Sequence, residues 1–207
     1  MHKFNRWPIL KPAVFLLCLV PAVWLTWDIL AGHLSANPLE DLRDRTGIWT
    51  LRFMMITLGI TPLLRITGWP SLIRFRRMLG LFTFFYGFVH FITYIGLDQF
   101  FDLNAIMDDI TKRPFILAGF ISFVLLIPLA ITSTKKWVRR LGGKRWQLLH
   151  RSIYVSAVAG VLHYYWRVKL DITFPVVYGA LLALLLAFRA FGKFNIFRQH
   201  VPSEKSA

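Results

Sequence analysis

At 207 residues, 56% hydrophobic and only 17% charged, the chain is too apolar for an ordinary soluble domain. Its net charge of +15 would suit a nucleic-acid binder, but long apolar blocks leave no room for a basic soluble module; the charge reads instead as Lys and Arg gathered in cytoplasmic loops. A single cysteine, Cys18, excludes an internal disulfide framework or thiolate cluster and reads as a small packing residue.

A helix crosses the hydrocarbon layer with about 20 apolar residues. Six stretches qualify, so the expected fold is an all-α integral membrane protein, a single domain built as a bundle of six transmembrane helices. The first, 10–31, follows Lys3, Arg6 and Lys11; with no small-residue cleavage site after it, it reads as a retained helix and not a signal peptide. The connection to the second, 47–64, holds Glu40, Asp41 and Asp44 beside Arg43 and Arg45. Arg65, Arg74, Arg76 and Arg77 precede the third, 78–97. Asp98, Asp102, Asp108 and Asp109, with Lys112 and Arg113, precede the fourth, 114–133. Lys135, Lys136, Arg139, Arg140, Lys144 and Arg145 precede the fifth, 147–166. The sixth, 172–190, runs into a tail with Arg189, Lys193, Arg198 and Lys205 against Glu204. Acid-bearing and purely basic connections alternate, which places both termini in the cytoplasm. Pro21, Pro62, Pro128 and Pro175 lie in or near spans, where neighbouring helices can satisfy the freed carbonyls.

His2, His33 and His200 fall in tails or a loop and read as solvated. His90, His150 and His163 fall inside spans, where a polar side chain is costly and marks function, or else serves as a hydrogen-bond partner between helices. His90 is about 18 Å along the third helix and His163 about 24 Å along the fifth, both in the outer half. Two neutral imidazoles at matched depth can hold one haem iron from opposite faces. His150 lies about 20 Å from His163 along the helix, at the cytoplasmic edge, and cannot share that iron. It would mark a second, inner site. Opposite it stands Arg77 where a second histidine would be needed, so that site takes either a haem with another second ligand or a flavin. A flavin phosphate would find charge-assisted donors in Arg76, Arg77 and Arg151, for which cytoplasmic topology is the plainer reading. Arg52, about 8 Å inside the outer end of the second helix, either pairs with a haem propionate or snorkels to the interface.

Three segments carry a resemblance. They are Arg76-Arg77-Met78-Leu79-Gly80-Leu81 followed by Tyr86, His90 and Tyr94; Trp146-Gln147-Leu148-Leu149-His150-Arg151 followed by Tyr154 and His163; and Lys112-Arg113-Pro114. Together they resemble the ferric-reductase-like transmembrane domain. More closely, they resemble the family of haem-binding membrane subunits of bacterial periplasmic protein-methionine-sulfoxide reductases, a likeness that covers nearly the whole chain, including its length and six spans. The resemblance implies haem b, one or two, ligated by His90, His150 and His163, together with FMN. It implies a bacterial inner membrane, electrons from the quinone pool or a cytosolic flavin reductase, and delivery to a periplasmic molybdopterin-containing reductase subunit that repairs oxidised methionines. Larger NADPH oxidases of the superfamily carry histidine pairs on both helices; Arg77 breaks that pattern here.

The expected function is therefore that of a membrane b-type cytochrome, with membrane lipid and a protein partner but no nucleic acid. A ferric or other metal reductase is the alternative within the redox class. From another class, a small proton-coupled transporter could use the histidines as a relay, but neither an inverted repeat nor paired broken helices are visible.

Overall fold

The computed structural model describes residues 7–198, with side chains from 9 to 191. His2, Lys3, Arg6, His200, Glu204 and Lys205 lie outside the described residues. Helix α1 (Trp7–Leu30) is followed by α2 (Pro38–Thr67). The Asn37 side chain caps α2 by accepting the Glu40 N–H at 3.3 Å, Pro38 fills the first turn, and Glu40 and Asp41 complement the helix dipole. The expected start at 47 is thus about two and a half turns late. Hydropathy marks the lipid-crossing part of α2, whereas its start signal sits in the charged stretch that reads as a connection. Gly68, at φ 65°, ends α2 in the left-handed conformation.

A tight 3-10 turn, Pro70–Leu72, leads into α3 (Ile73–Ile92), which continues as a π-helical turn, Thr93–Asp98. Then come α4 (Leu103–Lys112), α5 (Pro114–Ile131), α6 (Lys135–Leu141), α7 (Gly143–His150), α8 (Ser152–Arg167) and α9 (Thr173–Arg198). The expected single helix over 147–166 is interrupted at Arg151. There the Arg151 N–H is shared between the Gln147 and Leu148 carbonyls, and the Ser152 hydroxyl bonds back to Leu149 O at 2.8 Å. The Trp146 indole meanwhile anchors α7 to Thr132 O at 2.9 Å. Five helical stretches among the described residues are long and apolar enough to cross a membrane: Ile9–Leu30, Pro38–Thr67, Pro70–Asp98, Pro114–Ile131 and Thr173–Phe191. Helix α8, with 16 residues, spans about 24 Å, short of the roughly 30 Å of hydrocarbon.

Helices α2 with α3, and α5 with α8, form the closest pairs; α3–α5 contacts join the pairs and α9 covers α2 and α8. Leu51, Met54, Leu58, Leu126 and Ala157 fill the centre, while Phe53, Phe75, Phe82 and Tyr86 pack beneath α1. Outward faces stay apolar: Leu17, Val23, Trp24 and Leu184 are each about two-thirds exposed. So much apolar surface suits lipid, not water, and the molecule is a membrane protein.

Two long-range polar contacts stand beside prolines. Near Pro21, the Tyr86 hydroxyl inserts into the α1 ladder, donating to Cys18 O at 2.8 Å and accepting the Ala22 N–H at 3.1 Å. Pro62 has no N–H to give Leu58 O. Arg189 of α9, which reads as a tail residue in the sequence, donates to that carbonyl at 2.8 Å, to Thr61 Oγ1 at 3.2 Å and to Tyr154 OH at 2.6 Å. Arg189→Met is expected to lower stability by about 2 kcal/mol, since the lost bonds come from a charged donor. Thermal unfolding in detergent measures it. The loss should shrink in a Pro62→Ala background, where a restored N–H takes the carbonyl.

Candidate functional site

Four helices, α2, α3, α5 and α8, enclose a cavity of about 390 Å³, within the size range of small-ligand and cofactor sites. Its charged lining lies at the end of the bundle where α2 begins and α3 and α8 finish, called here the acidic end. His90 of α3 and His163 of α8 face each other across it, ring centroids 6.0 Å apart and planes at 76°. The π-helical turn follows directly after the helix bearing His90; such turns re-aim side chains and cluster at functional sites.

Both rings are held from behind. His90 Nδ1 donates to Arg43 O at 2.9 Å, and His163 Nδ1 donates to Phe115 O at 2.6 Å. A carbonyl can only accept, so Nδ1 carries the proton and Nε2 keeps its lone pair. This is the support that metal-ligating histidines receive from their surroundings. Metal–nitrogen bonds of about 2 Å would set the centroids of two rings on one metal a little over 6 Å apart, close to the observed spacing. Among the described residues no group of three or more His, Cys, Asp or Glu could hold a bare metal ion. Two opposed imidazoles fit an iron whose other ligands come from a porphyrin.

Glycines make room for a flat group. Gly47, Gly87, Gly119 and Gly160 line the cavity, one from each of its four helices. A Cβ on Gly47 would stand 3.0 Å from His90 Cε1, and one on Gly119 would stand 2.7 Å from His163 Nδ1. Phe91, Phe115, Phe120 and Phe123 complete apolar walls.

The acidic end carries paired charges. Arg43 pairs with Asp98, Arg113 Nε with Asp109 Oδ1 at 3.2 Å, and Arg167 with Asp44 at 2.5 Å and Glu40 at 3.5 Å. Tyr94 OH and Gln99 Nε2 also donate to Asp109, at 3.0 and 2.9 Å.

The other sequence-nominated residues are not gathered here. His150 stacks on Trp146 at 3.8 Å, donates Nδ1–H to Trp146 O at 3.1 Å, and keeps a buried Nε2 without a hydrogen-bond partner. Arg76 stands in electrostatic range of His150, while Arg77 and Arg151 are exposed. Arg52 lies outside the cavity, over the Trp49 ring at 4.6 Å and 3.3 Å from Tyr178 OH. The cavity's arginines are instead Arg43 and Arg113, which read as connection charges, and Arg167, which stands one residue past the expected end of the fifth span. Two signals could have found this face: Arg167 stands four residues after His163, and Gly-x-x-His recurs as Gly87–His90 and Gly160–His163, each placing a glycine on its histidine's own face.

Residues 46–161 match the family described as ferric reductase like transmembrane component, so the helices that frame the cavity define a ferric-reductase-like membrane protein. The match includes His90 and His150 and stops two residues before His163. Curated relatives extend it. The chain is 51% identical over 185 residues to the protein-methionine-sulfoxide reductase heme-binding subunit MsrQ of Herminiimonas arsenicoxydans, covering 88% of this chain and 85% of the relative. It is 49% identical to that of Azospira oryzae, covering 87% and 78%, and 47% identical to that of Polaromonas naphthalenivorans, covering 98% and 93%. The chain belongs to the MsrQ family.

Proposed function

We propose that this chain is the electron-transferring membrane subunit of a bacterial protein-methionine-sulfoxide reductase, holding one haem b between His90 and His163. The observation that carries the proposal is the pair of opposed imidazoles, each with Nδ1 tied to a carbonyl and Nε2 free. When bound, the haem supplies reversible one-electron storage at its iron. The chain's residues do the rest. Arg43 O and Phe115 O fix the ring tautomers, the phenylalanines exclude water, and the arginines of the acidic end offset the carboxylates that a haem brings.

The acidic end faces the periplasm and the basic connections, with both termini, face the cytoplasm. Helices α7 and α8 together make the sixth crossing of a single-domain bundle in the inner membrane. Electrons enter from the quinone pool or a cytosolic flavin reductase at the basic end. His150 and Arg76 make that end the place for an inner cofactor, FMN or a second haem; a flavin phosphate would take the cation as its partner. Electrons leave at the acidic end for a periplasmic molybdopterin-containing subunit. That direction is supported by the placement of the cavity nearer the acidic end.

The test uses purified protein in nanodiscs, its haem reduced with a quinol analogue. Adding the oxidised reductase subunit and a methionine-sulfoxide peptide should re-oxidise the haem band, and neither alone should do so fully. The family description favours one second reading, metal reduction at the acidic end. A ferric chelate that re-oxidised the haem quickly, with no response to the reductase subunit, would establish that reading instead.

A further inference from the structure

Arginines in the half of the bundle toward the acidic end are ion-paired, with one exception. Arg43 pairs with Asp98, Arg45 with Asp28 and Asp41, Arg113 with Asp109, and Arg167 with Asp44 and Glu40. Arg52 meets no carboxylate among the described residues. Its sequence neighbours Leu51 and Phe53 are buried, but Arg52 is exposed, on the outward stripe of α2 that also carries Ile56 and Leu63. That stripe faces lipid, where an uncompensated charge is costly and marks a site.

The guanidinium is held in place. It lies over the Trp49 ring at 4.6 Å, and its Nε–H donates to Tyr178 OH of α9 at 3.3 Å. Trp49 stands about one turn nearer the start of α2, so the Arg52 side chain reaches back along its helix toward the acidic end, as a snorkelling arginine does. Tyr178 is about 7.5 Å along α9 from the end where that helix begins. Two helices thus bring a cation and a hydroxyl to one level near a membrane surface. Nε–H is the Arg52 donor with a partner among the described residues; Nη1, Nη2 and the Tyr178 hydroxyl proton remain to be taken.

We propose that Arg52, Tyr178 and Trp49 form a binding site for the phosphate of an anionic phospholipid on the lipid-facing seam of α2 and α9. Phosphate supplies what the site lacks: a negative charge for the lone cation, and oxygens to accept its N–H groups and the phenol O–H. The indole face supports the guanidinium from below, and the acyl chains run inward along Ile56 and Leu63. The site also abuts the histidine cavity. Tyr178 packs edge-on against Tyr164, centroids 6.0 Å apart at 72°, and Tyr164 lines the cavity. A lipid held here ties α9 to α2 beside that wall. The inference does not depend on a haem being bound.

The experiment uses delipidated, detergent-purified protein. Native mass spectrometry follows lipid retention, and thermal unfolding follows stability, on adding phosphatidylglycerol, phosphatidylcholine, inorganic phosphate or a short-chain quinone. The parent should retain one phosphatidylglycerol and unfold at a higher temperature with it, and the other three additions should each do less. Arg52→Gln should weaken phosphatidylglycerol binding by about tenfold or more, the worth of a charge-assisted hydrogen bond. Arg52→Lys should keep part of the affinity, and Tyr178→Phe should lose less than Arg52→Gln. Equal retention of the two lipids, or equal retention by parent and Arg52→Gln, would mean ordinary boundary lipid and overturn the inference. Phosphate acting as well as phosphatidylglycerol would make this a free-anion site, and quinone acting better than the lipid would make it a quinone site; either result overturns the lipid assignment. If Arg52→Gln failed to fold, the lipid comparison in the parent and the Tyr178→Phe variant would still decide.

Discussion

Replacing His90 or His163 with alanine is expected to strip the cavity of its haem, weakening binding by at least about 100-fold. Loss of a supporting contact behind a metal-bound histidine already costs 10- to 100-fold, and here the ligand itself is removed. Neither gap has a substitute: among the described residues of the cavity wall no other His, Cys or Met faces the pair except Met54, which sits deeper on α2 in the apolar centre. His150→Ala should leave this haem's spectrum in place, because His150 lies outside the cavity, stacked on Trp146. Absorption spectra and a pigment extract of each detergent-purified variant measure the effect. A His90→Ala or His163→Ala protein with a full haem complement and an unchanged spectrum would refute the ligand assignment.

Gly119→Ala is expected to weaken haem binding by about ten- to a hundredfold through one added methyl group. Its Cβ would stand 2.7 Å from His163 Nδ1 and 3.0 Å from Cε1. The ring cannot yield cheaply, since it is tied at 2.6 Å to Phe115 O, one turn away on the same helix as Gly119. Either the ring leaves its carbonyl or α5 moves. Overpacking of this kind costs about 1–3 kcal/mol, and each 1.4 kcal/mol is tenfold in affinity. Gly59→Ala is the matched control: nothing lies within 4 Å of its Cβ, and the exchange should be neutral or stabilising by up to about 1 kcal/mol. Haem retention during gel filtration, with thermal unfolding alongside, compares the two. Equal behaviour of Gly119→Ala and Gly59→Ala would remove the glycine from the account of the site.

Much of this was readable from the sequence, for reasons that also mark where reading stopped. Helices α1 and α5 lie close to their expected bounds because continuous apolar runs define them. The juxtaposition of His90 and His163 follows from counting, since helix rise is constant and the topology fixes direction. Arg43 was hidden by the same arithmetic: hydropathy ends a span at the first cluster of charges, but the Asn37-Pro38 cap carries α2 on through them. Arg52, inside the apolar run, does not line the cavity and faces Tyr178 and Trp49. The break at Arg151 had no proline or glycine to announce it; it arises from local hydrogen bonds of Ser152 and Arg151. Arg189 looked like a tail charge because the partner that draws it into the bundle, the carbonyl freed by Pro62, lies 131 positions away.

Low-temperature electron paramagnetic resonance of the oxidised parent protein tests the central claim most directly. Two imidazoles on one ferric iron with planes near the observed 76° should give a strongly anisotropic low-spin signal, with no high-spin signal beside it, and dithionite should abolish it. A high-spin ferric signal would mean that His90 and His163 do not share an iron. A colourless protein, purified from cells with ample haem, would return both histidines to the proton-relay reading.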